Sequence, residues 1–219
     1  LTGIAFRVAV RAIAPGAAIS AGNDQLVIDG ARDLLLLIAI RSNFKDCDTN
    51  PEDSGIDFRA LCRADLDAAE ARGFDAMLKA HTKDVGALYD RSRLFLDAPA
   101  SEASVPTGTL IERSPGKKFA PATLIALLYN FGRYLMIASS RPGTRATNLQ
   151  GIWNNLLEPP WASNYTLNIN AEMNYWPVET ANLAECLEPY EAQLKVYARQ
   201  GAVAAEKIYG LPGWCLHHN

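Results

Sequence analysis

The sequence predicts a mainly α protein with an N-terminal β portion. Three observations carry that expectation. Residues 4–12 alternate with period 2. Residues 34–40 form an unbroken apolar run. From Phe58 onward, apolar side chains recur at spacings of 3 and 4.

The elements follow in order. Ile4, Phe6, Val8, Val10 and Ala12 share one face and Arg7 and Arg11 the other, which reads as a half-buried strand broken by Pro15-Gly16. Leu26-Val27-Ile28 reads as a second strand, entered through the turn Gly22-Asn23-Asp24. The run Leu34 to Ile40 reads as a strand buried on both faces. These pieces look like strands of a β-sandwich, although three strands do not close one. After the polar stretch Asn43 to Gly55, one helix carries Phe58, Cys62, Leu66 and Ala69 and is interrupted by Gly73. A second carries Phe74, Leu78, His81, Val85 and Leu88, and His81 is expected to be packed on that apolar stripe. Leu94-Phe95-Leu96 reads as a short strand. Residues 97–118, with Pro99, Pro106, Gly108, Pro115 and Gly116, read as a linker. The clearest helical stripe is Leu124, Leu128, Phe131, Leu135 and Ala138, with Pro121 suited to the first turn. Arg141 to about Thr166 has no period. Loops longer than ~12–15 residues are usually functional or disordered, and the tryptophans here argue for order. A last helix holds Leu187, Tyr190, Leu194, Tyr197, Ala204 and Ile208 and ends at Gly210.

Composition excludes several classes. The 219 residues are 49% hydrophobic and 21% charged with a net charge of −3, which argues against disorder and gives no basic face for nucleic acid. The apolar run 34–40 falls far short of the ~20 residues of a membrane span. Cys47, Cys62, Cys186 and Cys215 form no CxxC pair, and the adjacent His217 and His218 lack companions at ligand spacing, so no metal and no cofactor is expected. The chain starts at Leu1 and stops at His217-His218-Asn219, and it reads as a fragment of a longer protein.

The second half is lopsided. All four tryptophans lie beyond residue 150, eight of the thirteen asparagines fall between Asn148 and Asn182, and no aspartate follows Asp97. Between Thr144 and Trp176, Trp153, Trp161, Tyr165, Tyr175 and Trp176 offer flat apolar faces. Asn148, Gln150, Asn154, Asn164, Asn168, Asn170 and Asn174 offer neutral donors and acceptors. Sugars present the matching pair of surfaces, C–H faces and hydroxyls, and amides both donate and accept. The blander reading is a packed loop whose amides cap helices and turns.

The string RYLMIASSRPGTRATNLQGIWNNLLEPPWASNYTLNINAEMNYWPVETANLAE, from Arg133 to Glu185, resembles glycoside hydrolase family 95. Weaker likeness extends to LLLLIAI, to LCRADLDAAEARGFDAMLKAHTKDVGALYDR and to GLPGWCLHHN. The family holds α-L-fucosidases and α-L-galactosidases. The resemblance implies terminal strands of a β-sandwich over residues 1–46, a helical linker over 47–118 and the first helices of an (α/α)6 catalytic barrel over 119–219. It implies an inverting exo-glycosidase, in which a carboxylic acid protonates the leaving oxygen while water attacks from the opposite face. Asn168 and Asn170, of the family's Asn-x-Asn motif, would hold that water. In extended geometry, residues two apart face one side, so both amides can converge on it. The alternative is that they cap the following helix.

Other positions carry over from the family more loosely. Trp153, Asn154, Trp161, Glu172, Asn174, His217 and His218 are implied to line the sugar pocket, with Asn219 in the same loop. His217, His218 and Asn219 read equally well as a polar turn. Asn155 stands where many relatives have an acid. Thr166 stands where fucosidases of the family often have His, and the smaller side chain would admit the 6-hydroxyl of L-galactose. The general acid is expected outside this chain, so the isolated fragment is expected to be inactive. The partner is a glycan, with no nucleic acid and no membrane, and the parent protein is expected to be secreted or periplasmic without a signal peptide in residues 1–219. The alternative function is a non-catalytic carbohydrate-binding module, and a third reading is a helical scaffold.

Overall fold

The computed structural model describes residues 3–114, 116 and 120–218. The chain divides into two compact units, residues 1–83 and 84–219.

In the first unit, β1 (Phe6–Ile13) pairs antiparallel with β4 (Leu35–Ser42), setting Val8 opposite Ile40 and Val10 opposite Ile38. Between them, β2 (Ala18–Gly22) and β3 (Gln25–Asp29) form a hairpin. Its turn residues Asn23 and Asp24 have φ of 47° and 60°. Positive φ at both central positions matches the right-handed twist of a two-residue hairpin, and Asn and Asp tolerate it. Helix α1 (Phe58–Arg72) starts where Asp57 Oδ1 accepts from the amides of Arg59 and Ala60, and it ends at Gly73, φ 77°. Cys62, Leu66 and Ala69 of α1 pack with Leu37 and Ala39 of β4 and with Ala9 and Ile13 of β1.

Two expectations are corrected here. Residues 34–40 are not buried on both faces. Leu37 and Ala39 are buried, while Leu36, Ile38 and Ile40 are 46%, 62% and 65% exposed. Helix α1, together with Met77, covers this pair of strands on the Ala9–Ile13 side. The expected inner residues of β1, Phe6, Val8 and Val10, therefore lie on the exposed side. Ion pairs at the rim, Arg11 with Asp67 and Glu70 and Arg41 with Asp65, hold α1 over the sheet. The Arg41 guanidinium keeps the Asp65 carboxyl below its ordinary value.

Helix α2 (Phe74–Tyr89) spans the boundary of the two units. His81 is exposed rather than packed, because only Leu88 of this helix is buried. In the second unit, residues 94–96 form no strand. The backbone of Leu94 is bonded instead by the side chain of Asn130, whose Oδ1 accepts from Leu94 N at 3.3 Å and whose Nδ2 donates to Leu94 O at 3.1 Å. One amide replaces the strand neighbour, and Phe95 is left 80% exposed. The expected linker contains a short helix, α3 (Thr107–Glu112), and Pro115 lies outside the described residues.

Helix α4 (Ala122–Ser139) is followed by α5 (Asn170–Tyr175), α6 (Pro177–Thr180) and α7 (Glu188–Ala204), with a π turn at Ala205–Tyr209. The core joins Leu88, Met136, Ile137, Ala146, Tyr175, Val178, Leu183 and Cys186. The buried stripe of α4 is Arg133, Met136 and Ile137, whereas Leu128 and Phe131 of the expected stripe are 71% and 49% exposed. The helix is apolar nearly all round, so its period does not choose the inner face. Among the described residues it is the helix whose length and composition alone would permit a membrane span. Its central cation, however, is bonded within the protein.

That cation is Arg133, 3% exposed. Nε donates to Ala181 O at 3.0 Å, Nη2 to Leu88 O at 2.9 Å, and Nη1 to Tyr89 O at 2.6 Å and to Ser92 O. No carboxylate is among these partners. The charge rests on carbonyls at the C-terminal ends of α2 and α6, where helix dipoles are negative.

Candidate functional site

The amide- and aromatic-rich stretch leaves α4 through a turn and is fixed by one buried hydroxyl. Ser140 Oγ lies 2.8 Å from both Cys186 O and Tyr175 Oη. The serine has one hydrogen and gives it to the carbonyl, so Tyr175 donates to Ser140 and its oxygen accepts from Thr147 N at 2.9 Å. Burial and neighbouring charges act on the same region: desolvation raises the Cys186 thiol above its ordinary value.

From Thr147 the chain makes a tight loop. Asn148 and Gly151 exchange backbone hydrogen bonds, Leu149 N donates to Asn164 O, and Asn174 Nδ2 of α5 donates to Asn148 O at 2.9 Å. Gly151 has φ 67°, and a Cβ there would lie 2.9 Å from the Trp153 ring, so glycine is required twice over. Trp153 is 44% exposed. The Asn154 side chain closes its own turn on the backbone of Leu156. Further on, Trp161, Ala162 and Ser163 all have left-handed φ, 55°, 52° and 50°. Such a run costs roughly 1–2 kcal/mol per residue, and it holds the Trp161 indole 79% exposed.

Contrary to the expected extended geometry, the motif Asn168-Ile169-Asn170 is turned. Residues 167–169 form a turn and Asn170 is the first residue of α5. The cause is local: Thr166 O accepts from Ala171 N and Ile169 O from Met173 N, so the helix winds up directly behind the motif. Neither asparagine caps it, because Ile169 occupies the N-cap and no side chain bonds there. Asn168 is exposed and Asn170 half-buried. Thr166 is buried at 6% exposure.

The C-terminal segment reaches the same place. Cys215 crosses α7 at Gly201, where an added Cβ would stand 2.6 Å from Cys215 O, and the two residues are bonded through Cys215 N. Beyond it, His218 O accepts from Leu167 N at 2.6 Å. His217 Nε2 lies 3.0 Å from Tyr209 Oη, and both histidines are exposed. Asn219 lies outside the described residues.

The structure thus brings His218 to the backbone beside Asn168, and it places Asn170, Glu172 and Asn174 on one short helix. Glu172 is half-buried, and its Oε2 has no hydrogen-bond partner among the described residues. Burial first, and Glu172 second, raise the phenol of Tyr190 above its ordinary value. Trp153 and Asn174 instead share a cavity of about 540 Å³ with α4 and the Thr147–Gly151 loop. Sequence reasoning missed this cavity and, beside it, the oxygens of Thr147 and Gln150 that have no partner among the described residues. It also missed Arg133, although a lone cation inside an apolar helix was a visible signal. No three His, Cys, Asp or Glu side chains gather as metal ligands among the described residues.

A family model described as the Glycosyl hydrolase family 95 catalytic domain matches residues 73–219. The chain is 36% identical over 210 residues to "Alpha-L-fucosidase 2" of Arabidopsis thaliana, covering 95% of this chain and 25% of that protein. It is 29% identical over 229 residues to "Probable alpha-fucosidase A" of Aspergillus niger, covering 98% of the chain and 28% of the relative. A protein of the same description from Aspergillus oryzae is 34% identical over 141 residues, covering 63% and 19%. The chain spans about a quarter of the length of the first two relatives.

Proposed function

The chain belongs to glycosyl hydrolase family 95, and from that membership we propose that it is part of a glycosidase that removes terminal α-L-fucosyl or α-L-galactosyl groups with inversion. All three relatives carry fucosidase names, which favours a fucoside. The observation that carries the residue assignment is the pair of amides at Asn168 and Asn170, neither of which is used to cap α5. Amide groups without a structural task are available to a ligand.

In the proposed reaction, a water is held by the two amides, which flank the turn into α5 rather than lie on an extended strand. Their carbonyl oxygens accept its hydrogens and aim its lone pair at the anomeric carbon, while a carboxylic acid protonates the leaving oxygen from the other face. An amide is a weak base, so the proton must pass on to a carboxylate. Following the pattern of the family, we assign both the general acid and the final base to residues outside 1–219. The sugar itself lies against exposed Trp161 and near His217 and His218, and the helices of the second unit form the start of an (α/α)6 barrel. Thr166, smaller than the histidine that fucosidases of the family often carry at this position, leaves room for the 6-hydroxyl of L-galactose.

The test is kinetic. In the full-length protein, Asn168→Ala and Asn170→Ala should each lower kcat on an aryl α-L-fucoside by about 10²–10³, the usual loss for one positioned hydrogen-bonding group. The melting temperature should stay put, since neither side chain supports the fold. NMR of the first product should show the β anomer. Release of the α anomer would overturn inversion, and full activity in both variants would overturn the water assignment.

A further inference from the structure

We propose that Tyr209 is a positioning residue: its phenol holds the imidazole of His217 so that Nδ1–H is presented to a hydroxyl of the bound sugar. This rests on the reading of the protein as a glycosidase acting on fucosides, with His217 near the sugar.

Three observations point there. The first is the bond itself. Tyr209 Oη lies 3.0 Å from His217 Nε2, and the two rings stand 6.1 Å apart with their planes inclined at 52°. An imidazole held at one nitrogen has its plane and its tautomer fixed, and the other nitrogen is left for a ligand. A phenol is a better donor than a neutral imidazole N–H. The tyrosine therefore gives its hydrogen to Nε2, and the ring hydrogen resides on Nδ1.

The second observation is the local backbone. Helix α7 ends at Ala204, and Ala205–Tyr209 wind as a π turn. Such turns are rare and frequently sit at functional sites. A π turn holds one residue more than an α turn, so the side chain at its end is carried about 100° around the axis from where α winding would leave it. Tyr209 is that residue. Gly210, with φ 63°, then reverses the chain, and Cys215 N reaches back to Gly201 O at 3.2 Å. These two departures from regular helix set Tyr209 beside a residue eight positions further on.

The third observation is placement. His218 O accepts from Leu167 N at 2.6 Å, so the backbone next to His217 is fixed beside Asn168. Both Tyr209 and His217 are exposed. A hydrogen bond between two solvated rings exchanges one made with water and adds little to stability. What it does change is the direction in which the imidazole points.

A double-mutant cycle in the full-length protein tests this. Tyr209→Phe keeps the ring and removes the hydroxyl. It should raise KM for an aryl α-L-fucoside about three- to tenfold, the scale of one neutral hydrogen bond, with kcat and the melting temperature nearly constant. His217→Asn puts an amide N–H near the place of Nδ1 and has nothing at the place of Nε2 for the phenol to hold. In that background Tyr209→Phe should cost nothing further. Calorimetric titration with L-fucose reads the same cycle without turnover, should His217→Asn be too slow to assay. A tyrosine that merely supports the turn would cost the same in both backgrounds, and that additivity would overturn the proposal. So would an unchanged KM in Tyr209→Phe alone. If the wild type cleaves no fucoside, the glycosidase reading falls and takes this inference with it. Additive losses in an active protein sink the inference alone.

Discussion

The two ends of α5 treat their polar groups in opposite ways. At the C-terminal end, Tyr175 donates to Ser140, accepts from Thr147 N and stacks on Tyr190 at 4.7 Å. At the N-terminal end, Asn168 and Asn170 do not cap the helix, and Glu172 keeps an oxygen without a partner among the described residues. Six residues thus join a matched interior to an end whose polar groups are unmatched. The difference separates what the fold needs from what a ligand would need. Groups with complete hydrogen bonding hold the helix in place, and groups without it are presented by that helix.

The largest way to break this comparison is at the matched side. Arg133→Met should destabilise the protein by about 3–5 kcal/mol, since it strands carbonyls of Leu88, Tyr89, Ser92 and Ala181 in the interior. Urea unfolding measures it. A loss below 1 kcal/mol would mean that these carbonyls find other donors, and the contrast between the two ends would weaken. Tyr175→Phe is the milder case. It keeps the ring stack but leaves Thr147 N without its acceptor, so a loss of about 1–3 kcal/mol is expected. Asn168→Ala, by contrast, should alter turnover and not unfolding. Equal stability losses in Tyr175→Phe and Asn168→Ala would erase the distinction.

The sequence makes part of this legible, and the reasons are local. The bounds of α1 follow from Asp57 and Gly73, whose roles depend only on neighbouring backbone. The β2–β3 turn follows from Asn23-Asp24 for the same reason. Strand β2 itself was missed, since Ala18–Gly22 is short, small and exposed and has no alternation to read. Helix α5 was missed as well, because six residues hold less than two turns and show no period. The inner face of α4 was read wrongly: Leu128 and Ile137 are equally apolar, and only the position of Arg133 distinguishes their sides. The approach of His218 to Leu167 depends on Gly201 letting one chain segment cross another. No local pattern announces such a crossing.

The smallest effect lies just outside the matched network and tests whether surface charge belongs to it. Glu185 precedes Cys186, whose carbonyl accepts from Ser140, and its carboxylate meets Arg91 Nη1 at 2.6 Å. Both side chains are well exposed, 43% and 36%, so solvent screens the pair and its contribution should stay below about 1 kcal/mol. The carboxyl is held below its ordinary value of 4.5, first by the backbone N–H of Glu185 itself and then by Arg91. A depressed folded-state value means that the stabilisation is complete above pH 4.5 and fades as pH falls through the lowered value. Glu185→Gln should therefore melt slightly below the wild type at pH 7, with the gap closing as pH falls below 4.5 through the lowered value and the wild-type carboxylate takes up its proton. A gap that persists unchanged in acid would trace the effect to the shape of the side chain. It would then bring residue 185 into the same uncharged hydrogen-bonded interior that holds Tyr175.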